Sequence, residues 1–342
     1  MQHILVTGGA GFIGSNFVRH LLTVHPQYGV TVFDKLTYAG NLENLAEVAD
    51  DPRFAFVEGD ICEPEIVNPL VGRHDAIVNF AAETHVDRSL LHPGAFVQTD
   101  VVGTYVLLEA ARLAGGKRMV QVSTDEVYGD VPPGQSSRET DMLTPRSPYS
   151  ASKAGGDLQC LGFFHSHGLP VSITRAANTI GPYQYPEKLL PLMATNALLG
   201  LPWPVYGDGR QVRDWLHVSD HCVAIDLVLH RGLPGEVYNV GMGTEYPNLA
   251  VVELILEELG VSKSLIRHVT DRQGHDRRYS LNTAKARALG WSPRYAFERS
   301  IRETARWYAD HRPWWERLRN RGDYQHYYEQ NYGRRLVGSV NQ

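Results

Sequence analysis

The chain has 342 residues, 43% of them hydrophobic, enough to bury a substantial core in one large domain or two interleaved ones. A formal net charge of -5 gives no electrostatic case for nucleic acid as a main partner. Three dispersed cysteines (Cys62, Cys160, Cys222), no apolar run near the ~18 residues of a membrane span and no secretory signal exclude a disulfide scaffold and a membrane role; a cytoplasmic setting is expected.

Through the first 180 residues, short β-branched runs alternate with helical patterns. Strands are predicted at 4–7, 30–34, 54–58, 76–80, 118–123 and 171–175, with helices at 14–24, 102–114 and 150–166 between them. Such helices are long enough to return the chain parallel, so the pattern predicts an α/β fold, a Rossmann-type doubly wound parallel sheet. From about Ala176 the rhythm breaks into Pro-, Gly- and aromatic-rich stretches, which predicts a smaller, mixed α/β C-terminal substrate lobe. The expected division is a dinucleotide-binding domain at 1–175, which a helix at 219–230 and a strand at 237–240 could rejoin, so that 219–242 counts with it. The lobe then takes 176–218 and 243–330, and 331–342 is a tail. The aromatic and arginine-rich stretch 307–335 reads as helix packed on the lobe or as a polyanion-binding arm, with Glu316, Asp323 and Glu329 interrupting its positive charge.

The first strand runs into Gly8-Gly9-Ala10-Gly11-Phe12-Ile13-Gly14. Glycines at 8, 11 and 14 permit a tight turn, close approach of the backbone to a pyrophosphate, and helix-on-strand packing, while the helix N-terminus offers unpaired N–H groups. The second strand ends at Asp34, twenty residues past Gly14. A carboxylate there accepts from ribose hydroxyls and repels the extra phosphate of NADP, so NAD is the expected cofactor. Asp60 and Ile61, after the third strand, read as an adenine-side contact or as a loop cap.

The fifth strand leads into Ser123-Thr124-Asp125-Glu126-Val127-Tyr128-Gly129, and Tyr149-Ser150-Ala151-Ser152-Lys153 follows. Residues four apart share a helix face, so the Lys153 cation is expected beside Tyr149, lowering the phenol from ~10 towards the working pH and making it a usable base. Thr124, at a strand end, is placed to bond the same substrate hydroxyl, and Lys153 to hold the nicotinamide ribose.

These residues carry a resemblance that covers nearly the whole chain. The blocks 34–41, 81–89, 123–129, 181–188 and 207–215 resemble the extended short-chain dehydrogenase/reductases, and within them the dTDP-glucose 4,6-dehydratases. The resemblance implies that dTDP-glucose, a nucleoside-diphosphate hexose, is oxidised at carbon 4, loses water across carbons 5 and 6, and recovers its hydride at carbon 6, leaving NAD⁺ regenerated. It assigns Asp125 as acid and Glu126 as base, an order that the residues alone leave open, beside the catalytic Thr124, Tyr149 and Lys153. It adds Phe12, Ile13, Lys35, Ala81 and Thr99 to the cofactor contacts. For substrate it implies His85, Ser89, Asn178, Glu187, Lys188, Leu189, Arg213, Asn248, Arg272 and His275. Glu187 and Lys188 also read as charge at a helix start, and the arginines as solvated. Asp100, Thr179-Ile180 and Gln273 depart from the family pattern; the first and last bear on local packing, Thr179 on the sugar pocket. A homodimer through helices 102–114 and 150–166 is also implied. The alternatives are an epimerase or decarboxylase, which would not need both carboxylates, and a non-catalytic NAD-binding module. Fifteen scattered histidines give no metal-ligand spacing, so no metal is expected.

Overall fold

The computed structural model describes residues 1–333 and Leu336. The expected tail at 331–342 lies largely outside the described residues.

The sheet strands are β1 (His3–Thr7), β2 (Gly29–Asp34), β3 (Phe54–Glu58), β4 (Ala76–Asn79), β5 (Arg118–Thr124) and β6 (Val171–Ala176). Between them run α1 (Phe12–Val24), α2 (Pro64–Arg73), α3 (Val86–Leu91), α4 (Pro93–Phe96), α5 (Thr104–Leu113) and α6 (Pro148–His167). Farther on come β7 (Asn178–Ile180), α7 (Leu189–Leu198), β8 (Trp203–Tyr206), β9 (Val212–His217), α8 (Val218–Arg231) and β10 (Val237–Val240). The order in the seven-stranded sheet is β10-β6-β5-β4-β1-β2-β3, with all pairings parallel.

These strands are Val- and Ile-rich because both faces are covered. On one face Phe17, Val18 and Leu21 of α1 pack with Cys222, Ile225 and Val228 of α8. On the other, Val67 and Val71 of α2 meet Leu107 and Ala111 of α5 and Cys160 of α6. The order reverses between β1 and β4, leaving a crevice beyond their C-terminal ends, where ligands of this architecture settle. Behind it, Thr7 donates to Asn79, and Asn79 Nδ2 to Gln121 Oε1 at 2.8 Å, tying three central strands together.

The predicted helix 102–114 is α5 preceded by a π-helical stretch, Val97–Gly103. The wider turn carries Asp100, 1% exposed, where it accepts from Ser152 Oγ at 2.5 Å. Helix α6 opens at a Ser147/Ser150 capping box with Pro148 in the first turn, which fixes the start one residue before Tyr149. A buried pair, Arg175 Nε to Asp157 Oδ2 at 2.8 Å, joins β6 to α6; Arg175 also donates to the Tyr128 hydroxyl, which donates to Asn239 of β10.

The lobe is completed by β11 (Glu245–Pro247), α9 (Asn248–Leu259), β12 (Ile266–Val269), α10 (Ala284–Ala288), α11 (Phe297–Asp310), α12 (Arg312–Arg319) and α13 (Gly322–Tyr328). Small sheets β11-β9-β7 and β12-β8 meet helices α7, α9 and α11 around Trp203, Trp215, Trp314 and Trp315. Arg319 donates to Thr195 and Asn196 of α7. The segment 307–333 is thus helix packed on the lobe, not an extended arm. No described helix is long and apolar enough to cross a membrane.

Candidate active site

The glycine turn presses backbone against backbone. Gly8 has φ +67°, and a Cβ on it would lie 2.5 Å from the Ala81 nitrogen; one on Gly14 would lie 2.3 Å from the Gly8 oxygen. Gly11 caps α1 without a side-chain bond, so the first N–H groups and the positive end of the helix face the crevice. Asp34 accepts from the Ala10 and Leu36 nitrogens at 2.9 and 2.8 Å, which fixes its carboxylate; burial, outweighing those bonds, raises its pKa. Asp60 takes the loop-cap reading and also stands on the cleft wall. It accepts from the Cys62 nitrogen as a loop cap and pairs with Lys35 Nζ at 2.6 Å on the cleft wall. One cleft is lined by Gly8, Gly11, Phe12, Ile13, Gly14, Asp34, Lys35, Asp60, Ile61, Ala81, Thr99, Tyr149 and Lys153, and it continues to Glu187 and Lys188. The donor set of a dinucleotide site therefore fits: glycine backbone for pyrophosphate, a carboxylate for ribose, a lysine and a tyrosine deeper in.

At the deep end Thr124 closes β5 and caps a short 3₁₀ turn, Asp125–Tyr128. Its Oγ accepts from the Glu126 nitrogen at 3.2 Å and lies 3.3 Å from Asp125 Oδ1. Asp125 is 3% exposed, and its Oδ2 has no hydrogen-bond partner among the described residues. Burial, reinforced by the neighbouring Glu126 charge and opposed by Arg213, pushes the Asp125 carboxyl well above its ordinary range. Glu126 is only half-buried. Adjacent carboxyls thus occupy different environments, the condition for one to hold a proton while its neighbour takes one.

Tyr149 hydrogen-bonds Thr124, but its phenol lies well above its usual pKa, first through burial and then through the Glu126 and Asp100 charges. This corrects the expectation that Lys153 depresses it. Lys153 Nζ is turned to the Val122 carbonyl at 2.9 Å, while Lys188 Nζ stands 5.9 Å from the Tyr149 ring centroid. Asp100, noticed in the sequence only as a departure, takes a second bond from the Glu83 nitrogen; burial, opposed by Lys153, pushes its pKa up to about 6.

Toward the lobe, Glu187 is not surface charge: it is buried, pairing with Arg88 Nε at 2.7 Å and accepting from the Tyr38 hydroxyl. Leu189 begins α7, whose N-terminus also lacks a side-chain cap. His85 adopts φ +78°, a strained value for a bulky residue, and lies 3.0 Å from the Tyr327 hydroxyl of α13. Ser89 is a correction. It is fully buried within α3, its hydroxyl donates to the Val86 carbonyl at 2.6 Å, and it does not line the cleft.

The expected cations are not solvated. Arg213 donates to the carbonyls of Val212, Asp276 and Arg277 and stacks on Tyr279. Arg272 pairs with Asp87 at 3.2 Å, and His275 with Asp271 at 2.6 Å. Burial first, then Arg272, lowers the His275 imidazole to about 4. Buried polar atoms of Asn178 (Oδ1), Asn248 (Oδ1) and Arg272 (Nε) have no partner among the described residues, as befits groups facing a ligand. Sequence reading missed the frame behind Arg272, in which Asp87 accepts from Tyr206 and Asn331 and Asn331 also reaches Tyr327. The aromatic tail was its one visible signal.

Comparison with known proteins accords with this geometry. The family model described as GDP-mannose 4,6 dehydratase matches residues 5–304. A dTDP-glucose 4,6-dehydratase of Streptomyces niveus is 55% identical over 93% of this chain and 96% of its own. The crystal structure of DesIV (dTDP-glucose 4,6-dehydratase) from Streptomyces venezuelae, with NAD and TYD bound, superposes with a TM-score of 0.90 at 50% identity, covering 93% of this chain and all of that one. A Thermus thermophilus UDP-glucose 4-epimerase complexed with NAD gives 0.84 at 32% identity, over 91% of this chain and 100% of its own. By sequence over most of its length and by fold, the chain belongs to the nucleotide-sugar 4,6-dehydratase family that includes the dTDP-glucose 4,6-dehydratases.

Proposed function

We propose that the protein is an NAD-dependent dTDP-glucose 4,6-dehydratase, a hydro-lyase that converts dTDP-glucose to dTDP-4-keto-6-deoxyglucose and water. The observation that carries the reading is the carboxyl pair: Asp125, buried and pushed to hold its proton, beside the half-buried Glu126, within reach of Thr124 and Tyr149.

Gly8, Gly11, Phe12, Ile13 and Gly14 hold the NAD pyrophosphate, Asp34 the ribose, and Lys35, Asp60, Ile61, Ala81 and Thr99 line its adenine and ribose side. NAD, when bound, takes two electrons from carbon 4 and returns them at carbon 6. Tyr149, oriented by Thr124, would receive the proton of the 4-hydroxyl once the positive nicotinamide of bound NAD, with Lys188 over the ring and Lys153 one helical turn along, offsets the burial that holds the phenol protonated. The resulting ketone acidifies carbon 5, from which Glu126 removes a proton while Asp125 protonates the departing 6-hydroxyl, releasing water. Return of the proton from Glu126 to carbon 5, and passage of the proton held by Tyr149 through the Thr124 hydroxyl to Asp125, which gave its own to the departing water, complete the turnover. His85, Glu187, Lys188 and Asn178 position the hexose. The N-terminus of α7 at Leu189, with Arg213, Asn248, Arg272 and His275, meets the nucleoside diphosphate; Ser89 supports the wall from behind.

Exposed Val102 of the π-helical stretch, with Tyr105 and Leu158 on the outer faces of α5 and α6, supports a homodimer, and the free cysteines support a cytoplasmic setting. Purified protein given dTDP-glucose is expected to form the 4-keto-6-deoxy product without net consumption of NAD. Recovery of a galactose epimer or a pentose would overturn the reading.

A further inference from the structure

We propose that His25, Asp226 and His230 form a binding site for a divalent transition metal ion of the zinc class, remote from the cleft. His25 is the C-cap of α1, while Asp226 and His230 lie four apart on one face of α8, so packing of the two helices brings together histidines that are scattered in sequence. One ligand atom from each residue lies within 4.8 Å of the others. His25 Nε2 is 3.0 Å from Asp226 Oδ1, and His230 Nδ1 is 2.9 Å from the same oxygen. Imidazole nitrogen and carboxylate oxygen bind zinc at about 2.0–2.2 Å, which places tetrahedral ligands about 3.4 Å apart. Opening these hydrogen bonds by a few tenths of an ångström therefore admits the ion.

The surroundings are those of a metal ligand set. His20 Nε2 bonds Asp226 Oδ2 at 2.9 Å, steadying the carboxylate, while His25 Nε2 lies 3.0 Å from both of its oxygens, so a metal at Oδ1 would draw His25 off Oδ2. His230 Nδ1 lies 2.8 Å from the Asp226 carbonyl, a contact the ion would replace, and Nε2 is 2.8 Å from the Tyr28 hydroxyl, so coordination through Nδ1 takes the tautomer whose Nε2 proton is donated to Tyr28. The His25 ring stacks on both Tyr28 and His230, with centroids 4.6 and 4.9 Å away, which fixes its plane. A surface pocket lined by the three ligands with Trp291, Arg231 and Arg294 provides an entry path. Three protein ligands leave a fourth position for water, and the two guanidinium groups there suit an anion as its replacement. The 13 residues of α1 separate this site from the glycine turn by about 20 Å, so its role is to bolt α1 to α8.

The test takes the untagged holoenzyme, treated with EDTA and titrated with Zn²⁺ and with Co²⁺. One equivalent of Co²⁺ is expected to bind with the intense visible bands of a four- or five-coordinate site, and Zn²⁺ to displace it and raise the melting temperature. His25→Gln and Asp226→Asn are expected to lose the bands and the thermal shift, and His20→Gln to weaken binding about tenfold, because its hydrogen bond no longer steadies the Asp226 carboxylate. Should Asp226→Asn fail to fold, His25→Gln, altered at a half-buried side chain, decides alone. Equal metal uptake by wild type and His25→Gln, or no uptake below millimolar metal, would overturn the proposal.

Discussion

The two ends of the cleft are built on different physics. At the cofactor end the recognition surface is backbone, pressed so closely at Gly8 and Gly14 that a Cβ would collide with neighbouring main chain. At the end proposed to take the nucleotide it is side chain, with each group already engaged: Arg272 with Asp87, Arg213 with three carbonyls and the neutral His275 with Asp271. A backbone site is complete once its turn has formed. The side-chain site holds charge in internal pairs that a diphosphate must join or displace, so its affinity depends on the frame behind it. Between the two lies the proposed chemistry, where burial first, reinforced by the Glu126 charge, raises Asp125 and Tyr149.

The largest effects are expected between the two ends. Tyr149→Phe should lower turnover by about 10²–10⁴, the usual share of general acid–base catalysis. Asp125→Asn with Glu126→Gln should still reduce bound NAD, seen by absorbance, but release no 6-deoxy product; undiminished dehydration would remove both carboxyls from the mechanism.

Next comes Asp100. Its folded pKa of about 6 stands above the ordinary 3.8, so the folded state binds this proton more tightly than the unfolded. Its stabilising contribution is therefore full below about pH 4 and lost as pH rises through about 6. Asp100→Asn abolishes that titration. Thermal melts are expected to show the variant gaining on wild type by up to about 3 kcal/mol at pH 7, at 1.36 kcal/mol per pKa unit, with the difference closing toward pH 4. A gap independent of pH would show that Asp100 does not titrate in the fold.

The contrast between the ends is sharpened by Gly8→Ala. The alanine would meet the Ala81 nitrogen at a positive φ, strain of about 1–3 kcal/mol, and NAD affinity measured by calorimetry should drop ten- to a hundredfold. Gly134→Ala, at φ +79° but with open space around its Cβ, is the control that carries the positive-φ strain without the collision. Smallest is Arg272→Gln: KM for dTDP-glucose should rise about tenfold, as for a lost charged hydrogen bond, with kcat little changed. A fall in kcat at constant KM would instead make Arg272 part of the transition-state machinery.

Much of the fold was legible. The predicted strand 237–240 coincides with β10, buried along its whole length, and 54–58 with β3, an edge strand whose Phe54, Phe56 and Val57 are half-buried. The π-helical turn before α5 was not, since its widening follows from the inward placement of Asp100 against Ser152 of another helix. Ser89 misled for a related reason: within a family-like motif, its hydroxyl is absorbed by the carbonyl three residues back.

Sequence alone determined whatever is local. Glycine spacing fixes a turn within seven residues, and the Tyr149–Lys153 interval fixes a shared helix face, because both follow from backbone geometry. Tertiary structure alone decided which charges meet. It set Arg272 against Asp87 across 185 residues and His25 against Asp226 across 201, and it turned Lys153 to the Val122 carbonyl. Those encounters depend on how the helices and the lobe close around the sheet, and the solvent excluded by that closure fixes the protonation of the groups inside.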